Sequence, residues 1–117
     1  MTTLITGAHG FVGKHVTALL QGGEEYVLTP KREQLDILAS SAWPLQHPDA
    51  NVNLRNYIKQ NNVDTIVHLA ATCGGISINK DNPGRFIYEN LQMGINILEA
   101  ARMTGVKKVV NLGTVCA

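Results

Sequence analysis

Cysteine is scarce in this chain, and long apolar runs are absent. Its 117 residues hold two cysteines, Cys73 and Cys116. Two do not make a disulfide framework, so reduced thiols and a cytoplasmic setting are expected. No apolar run reaches the roughly 20 residues that span a bilayer. The opening Met-Thr-Thr-Leu-Ile-Thr lacks the basic stretch of a signal peptide and passes straight into an apolar segment. A net charge of +1 offers no electrostatic case for binding nucleic acid or an anionic membrane. Internal repeats and low-complexity segments are also missing. What is present is a 44% apolar fraction, enough for a real core, in a length that makes one domain or part of one.

The most informative segment is Leu4-Ile-Thr-Gly-Ala-His-Gly-Phe-Val-Gly13, a short apolar run flowing into glycines at 7, 10 and 13. A helical pattern follows at once. The arrangement reads as a strand turning sharply into a helix that can hold a phosphate at the junction. Gly7 permits the turn, Gly10 lets the backbone approach a pyrophosphate, and Gly13 lets helix and strand pack closely. The first helical turn has unpartnered N–H groups and positive dipole potential. The spacing is G-x-x-G-x-x-G rather than G-x-G-x-x-G. The competing interpretation is a glycine-rich turn without a ligand.

The rest of the chain alternates. A strand is predicted over 2–6 and a helix over 11–21, with Val12, Val16, Leu19 and Leu20 on one face and Gly22 and Gly23 as its end. A second strand, Tyr26 to Thr29, stops at Pro30. Glu33 to Ala39 reads as a turn or half-helix, and 40–51 as an irregular loop. A helix over about 52–61 ends at Asn62. The strand from Asp64 to Ala71 is continuously apolar at its centre, as a strand buried on both faces should be. After a loop over 72–82, Pro83 opens a long helix to about Thr104, with Ile87, Leu91, Ile95 and Leu98 as its expected buried stripe. Gly105 ends it, and Lys107 to Leu112 is the last strand. This alternation implies an α/β fold: a doubly wound parallel sheet with right-handed crossovers and helices on both faces.

In such a sheet, ligands bind beyond the carboxyl ends of the strands where strand order reverses. Three segments converge there: Gly7–Gly13, Thr29–Ile37, and Leu69–Ala71. An NAD site usually has an acidic residue at the end of the second strand, but here Thr29-Pro30-Lys31-Arg32 brings a basic pair. Lys31 and Arg32 suit a 2′-phosphate, which favours NADP(H) over NAD(H). Otherwise they are a solvated loop. Asp36 and Ile37 either line the adenine side or, for Asp36, form a turn. No metal ligand set is assigned.

With His68-Leu-Ala-Ala71 added, the chain resembles the extended short-chain dehydrogenase/reductase (NAD-dependent epimerase/dehydratase) family, and within it the GDP-L-fucose synthase branch. The resemblance is carried by His68-Leu-Ala-Ala-Thr-Cys-Gly-Gly-Ile76, Asn82-Pro, Phe86-Ile-Tyr-Glu-Asn90, Asn96-Ile-Leu-Glu-Ala-Ala101 and Val109-Val-Asn-Leu-Gly113. It implies the amino-terminal part of an NAD(P)-binding Rossmann domain over residues 1–117, cut off after four or five strands. It also implies that Gly7, Ala8, His9, Gly10, Phe11, Val12 and Gly13 meet the cofactor's pyrophosphate. Lys31, Arg32, Asp36 and Ile37 would meet its adenosine, with Leu69, Ala70 and Ala71 beside them. Leu112, Gly113, Thr114 and Val115 would run along the nicotinamide ribose. Asn90 would hold the active-site backbone or, alternatively, simply pack its helix against the sheet.

Thr114 falls where the family has its catalytic serine, and a threonine hydroxyl can also polarise a carbonyl. Cys116 matches the family's acid/base cysteine for epimerisation; the alternative is a small buried hydrophobe. Val115 replaces a common serine, and His9 stands where relatives carry an arginine facing the 2′-phosphate.

The family's chemistry also needs Tyr-x-x-x-Lys, with the tyrosine as general acid. Four residues after Tyr26, Tyr57 and Tyr88 stand Pro30, Asn61 and Gln92. The expectation is therefore the dinucleotide-binding half of an NADP-dependent nucleotide-sugar epimerase/reductase, inactive by itself, with a nucleotide sugar as substrate of the whole enzyme. The alternatives are another nucleotide-sugar epimerase/dehydratase, an inactive NADP(H)-binding module, or a remnant that keeps only the fold. The last strand would leave a bare edge, so the chain is expected to be homo-oligomeric, covered at that edge, or part of a larger ordered chain. Neither nucleic acid nor membrane is expected as a partner.

Overall fold

A computed structural model describes residues 1–35, 37–38, 52–72, 80–81 and 83–112. The expected loop over 40–51, Asp36, Cys73 and residues 113–117 lie outside them. In chain order the elements are β1 (Thr2–Thr6), α1 (Phe11–Gln21), β2 (Tyr26–Leu28), α2 (Val52–Gln60), β3 (Thr65–His68), α3 (Pro83–Thr104) and β4 (Lys108–Asn111). The strands form a parallel sheet in the order β2-β1-β3-β4. Leu4 pairs with both Leu28 and Ile66, and Ile66 in turn with Val109. Strand order reverses at β1: β2 lies on one side of it, β3 and β4 on the other.

The helix ends follow from local chemistry. Asn62, at φ 52°, is the one described non-glycine residue with a left-handed backbone. It closes α2: Val63 N–H donates to Ile58 O at 3.1 Å and Asn62 N–H to Lys59 O at 3.2 Å. That pair of bonds is a Schellman motif, and its usual apolar contact is present, because Val63 and Ile58 share the core. Gly105, at φ 74°, ends α3 in the same way, with Val106 N–H on Ala101 O at 3.1 Å. Gly22 keeps a right-handed φ of −74°, so α1 stops without a left-handed cap.

The core lies on one face of the sheet. Leu4 and Ile66 meet Leu54 and Ile58 of α2 and Met93, Ile97, Ala100 and Ala101 of α3. This corrects the expected stripe of the long helix. Ile87, Leu91, Ile95 and Leu98 are 65%, 60%, 57% and 55% exposed and point away from the sheet. The sheet-facing row pairs two alanines with Met93, Asn96 and Ile97, and its small members let the helix approach the strands closely. On the other face, α1 contacts β1 and β2. Gly13 is its buried residue. Val16 and Leu20 are half-buried, whereas Val12 and Leu19 are exposed, contrary to the expected four-residue face. Among the described residues no helix is long and apolar enough to cross a membrane.

Candidate functional site

The site starts from the turn after β1. Gly7 sits at φ 71°, and a Cβ there would lie 2.6 Å from Ala70 N and 2.7 Å from Leu69 C. A Cβ on Gly13 would overlap the Gly7 carbonyl oxygen and stand 2.7 Å from Ala8 Cα and C. Both glycines are therefore demanded by the protein's own packing. Gly10 is different. It is the N-cap of α1 at φ −78° and ψ −178°, and its added Cβ would meet only Gly7 O at 3.4 Å. No side chain caps the helix. Gly10, Phe11 and Val12 of this uncapped start line a cleft with the helix dipole behind them, where an anion is favoured.

Three polar side chains shape the walls. Thr6 Oγ1 is 2.7 Å from His68 Nδ1, with both residues buried. The same oxygen accepts N–H from Leu69 at 3.1 Å and from Ala70 at 3.2 Å. Asn90 grips the Thr72 backbone twice: its Oδ1 accepts from Thr72 N at 2.7 Å and its Nδ2 donates to Thr72 O at 2.9 Å. Asn96, buried on α3, donates from Nδ2 to Ile37 O at 2.8 Å and accepts from Gln92 at 3.0 Å. Burial pushes the His68 imidazole below the ordinary histidine range. The Glu89 carboxyl is held below its ordinary range by a hydrogen bond with the Thr72 side chain and then by Arg85, with Arg32 adding a smaller attraction.

These walls enclose a cleft of about 920 Å³ beyond the carboxyl ends of β1, β2 and β3. That is at the upper end of ordinary ligand pockets, roughly 300–1,000 Å³. Gly7 to Val12, Lys31, Arg32, Ile37 and Leu69 to Ala71 all line it. Gly13 lies behind it as packing, Asn90 acts on it through Thr72, and Leu112 is outside it, 62% exposed after β4. Asp36, Gly113, Thr114, Val115 and Cys116 fall outside the described residues. His9 reaches across from the glycine turn, with its Nε2 3.3 Å from Thr29 O.

Sequence reasoning overlooked Thr6, Lys14, Leu38 and Met93, which also line the cleft. Thr6 was visible only as a strand residue, and Met93 was hidden by assigning the wrong face of α3. Among the described residues, no three His, Cys, Asp or Glu side chains converge as a metal site would require.

This geometry has counterparts. Residues 3–117 match the profile of the NAD dependent epimerase/dehydratase family. The chain belongs to that family. Among curated relatives, GDP-L-colitose synthase of Yersinia pseudotuberculosis is 36% identical over 116 residues, covering 99% of this chain and 34% of that protein. GDP-L-fucose synthase of Escherichia coli K12 is 30% identical over 113 residues, covering 96% of this chain and 32% of the relative. The chain thus spans about a third of the length of these relatives.

Solved structures show the same Rossmann-type fold. The GDP-mannoheptose C4 reductase MlghC of Campylobacter jejuni, solved with NADP bound, superposes with a TM-score of 0.79 at 23% identity, over 96% of this chain and 30% of that one. DdhaC gives 0.80 at 23% identity, over 97% and 30%. Family members are nucleotide-sugar epimerases and reductases. The family's nicotinamide dinucleotide fits the residues present: the open N-terminus at Gly10 can accept a pyrophosphate, and the rim carries Lys31 and Arg32.

Proposed function

We propose that this chain is the dinucleotide-binding part of an NADP-dependent nucleotide-sugar epimerase/reductase of the GDP-L-fucose synthase type. The observation that carries the proposal is Gly10. Packing does not require a glycine there, yet it keeps clear the approach to the α1 amides. A pyrophosphate bound at those amides lays the adenosine toward β2, between Ile37 and the Lys31–Arg32 rim. Lys31 and Arg32 hold the 2′-phosphate; a guanidinium offers it a planar fork of donors. The bound nucleotide supplies hydride to a keto sugar. Leu69–Ala71 form the wall that keeps it over the sheet's end, and Asn90 fixes the Thr72 backbone at the substrate end of that wall.

Thr114 is assigned to polarise the sugar carbonyl and Cys116 to move the proton next to it. Leu112, Gly113 and Val115 are assigned to the ribose side. The general acid of the family's Tyr-x-x-x-Lys pair is not among these 117 residues, so this stretch alone binds cofactor without turning over. The setting is cytoplasmic. The chain self-associates, along the open edge of β4 or through the exposed apolar row of α3. The 36% identity to a GDP-L-colitose synthase supports a second reading, in which the whole enzyme acts on a different GDP-linked keto sugar.

Calorimetric titration with NADPH and NADH tests the binding claim. Tighter binding of NADPH is expected, and Arg32→Ala should narrow the difference by about tenfold, the worth of one charge-assisted contact. Equal affinities for the two nucleotides, unchanged in Arg32→Ala, would remove NADP preference from the proposal.

A further inference from the structure

Beneath the cleft lies a buried polar node whose proton positions are determined by counting. A hydroxyl has one proton to donate and two lone pairs to accept with. Two amides approach Thr6 Oγ1: Ala70 N–H at 3.2 Å, and Leu69 N–H at 3.1 Å, which it shares with the Thr6 carbonyl oxygen at 3.0 Å. With two N–H groups already directed at this oxygen, His68 Nδ1, 2.7 Å away, is the acceptor in reach of its proton. That requires Nδ1 to be a bare acceptor and the imidazole to carry its proton on Nε2. The Leu69–Ala70 peptide held in this way is the surface against which Gly7 turns, because even a Cβ on Gly7 would collide with it.

We propose that His68 is a positioning residue for the dinucleotide cradle: as a neutral acceptor it orients the Thr6 hydroxyl, which holds the Leu69–Ala70 peptide under the glycine turn. A proton on Nδ1 would give that hydroxyl a third donor and no acceptor, so Ala70 N–H would lose its anchor while Leu69 N–H keeps the Thr6 carbonyl. The cradle is then competent only while His68 is neutral, and acid weakens nucleotide binding through a residue that never touches the ligand. The groups around the imidazole leave its charge uncompensated. Thr6 on β1 is uncharged, as are Asn111, its register partner on β4, and the buried residues Met93, Asn96 and Ile97 of α3. Its ionisation is shifted by burial and by no charged neighbour.

This inference rests on the dinucleotide reading, and its test separates the two. Nitrogen NMR of the His68 imidazole at pH 7.5 should show Nδ1 unprotonated and Nε2 protonated; the opposite tautomer overturns the proposal whether or not any nucleotide binds. Affinity is then measured from pH 8 down through the depressed His68 titration with NADH, which lacks a 2′-phosphate titrating near pH 6. The wild type should weaken on the acid side. His68→Asn keeps an acceptor and cannot titrate, so it should bind like the wild type at pH 7.5 and lose the acid-side weakening. His68→Leu strands the Thr6 proton, and should bind at least about tenfold more weakly at every pH, with faster hydrogen exchange at Ala70. Acid weakening that persists in His68→Asn overturns the proposal, as does wild-type affinity in His68→Leu. If His68→Leu does not fold, the His68→Asn profile decides. If the wild type binds neither nucleotide, the functional reading fails, while the tautomer and the exchange rates still judge the node.

Discussion

Substituting alanine at Gly10 and at Gly13 separates what the fold needs from what a ligand needs. In Gly13→Ala the new methyl would overlap the Gly7 carbonyl oxygen and crowd Ala8 Cα and C at 2.7 Å. All of these are backbone atoms, so α1 itself must shift. Overpacking costs about 1–3 kcal/mol, here toward the upper end, while restricting the unfolded chain returns about 0.4–1 kcal/mol. A net loss of about 2 kcal/mol, or roughly 6–10 °C in Tm for a domain of this size, is expected. In Gly10→Ala the methyl meets only Gly7 O, at 3.4 Å, and the φ of −78° suits alanine. The weaker N-cap preference of alanine and the unfolded-state gain nearly cancel, leaving a change within about 0.5 kcal/mol. That methyl instead fills the approach to the first-turn amides, and NADPH affinity should fall at least tenfold, about 1.4 kcal/mol. Circular dichroism melts and calorimetric titration read the two effects separately. A Gly10→Ala protein that binds NADPH as well as the wild type would refute the cradle, and a Gly13→Ala protein of unchanged Tm would refute the packing argument.

Asn96→Ala removes the donor to the Ile37 carbonyl inside the core; urea unfolding should show a loss of about 1–3 kcal/mol, and a loss under 0.5 would mean that the bond is dispensable. Folded-state His68 has its pKa depressed below the unfolded value near 6.5. Its contribution to stability is therefore complete above pH 6.5 and is lost as pH falls through the folded value. His68→Asn should flatten that part of the stability profile, and an unchanged slope would assign it to other groups. Leu91→Glu on the exposed face should change stability by no more than about 0.5 kcal/mol, whereas Ile97→Ala should cost about 2–5 kcal/mol. If α3 pairs with a second copy, light scattering will also show a smaller mass for Leu91→Glu; an equal mass would move the contact elsewhere.

The order and kind of the described elements were legible because punctuation and periodicity agreed. Gly7, Asn62, Pro83 and Gly105 stand where the backbone turns or a helix begins or ends, and each does so for a local reason. The exposed row of α3 was misassigned because it carries the stronger apolar signal. Ile87, Leu91, Ile95 and Leu98 outweigh a row built from alanines, Met93 and a buried asparagine, yet small side chains are what close contact with a sheet selects. Periodicity marks a stripe without saying which of two stripes meets the core. The Gly7–Val12 cradle and the basic rim were readable because they are continuous in sequence. The Thr6–His68 node and the Asn96–Ile37 bond were not, since they depend on strand register and on contacts 62 and 59 residues apart.

Asn90 and Asn96 sit on one helix and clasp two parts of the cleft lining, Thr72 and Ile37. Six residues of helix rise about 9 Å. One helix therefore carries both clasps, and the spacing of Thr72 from Ile37 is tied to its length.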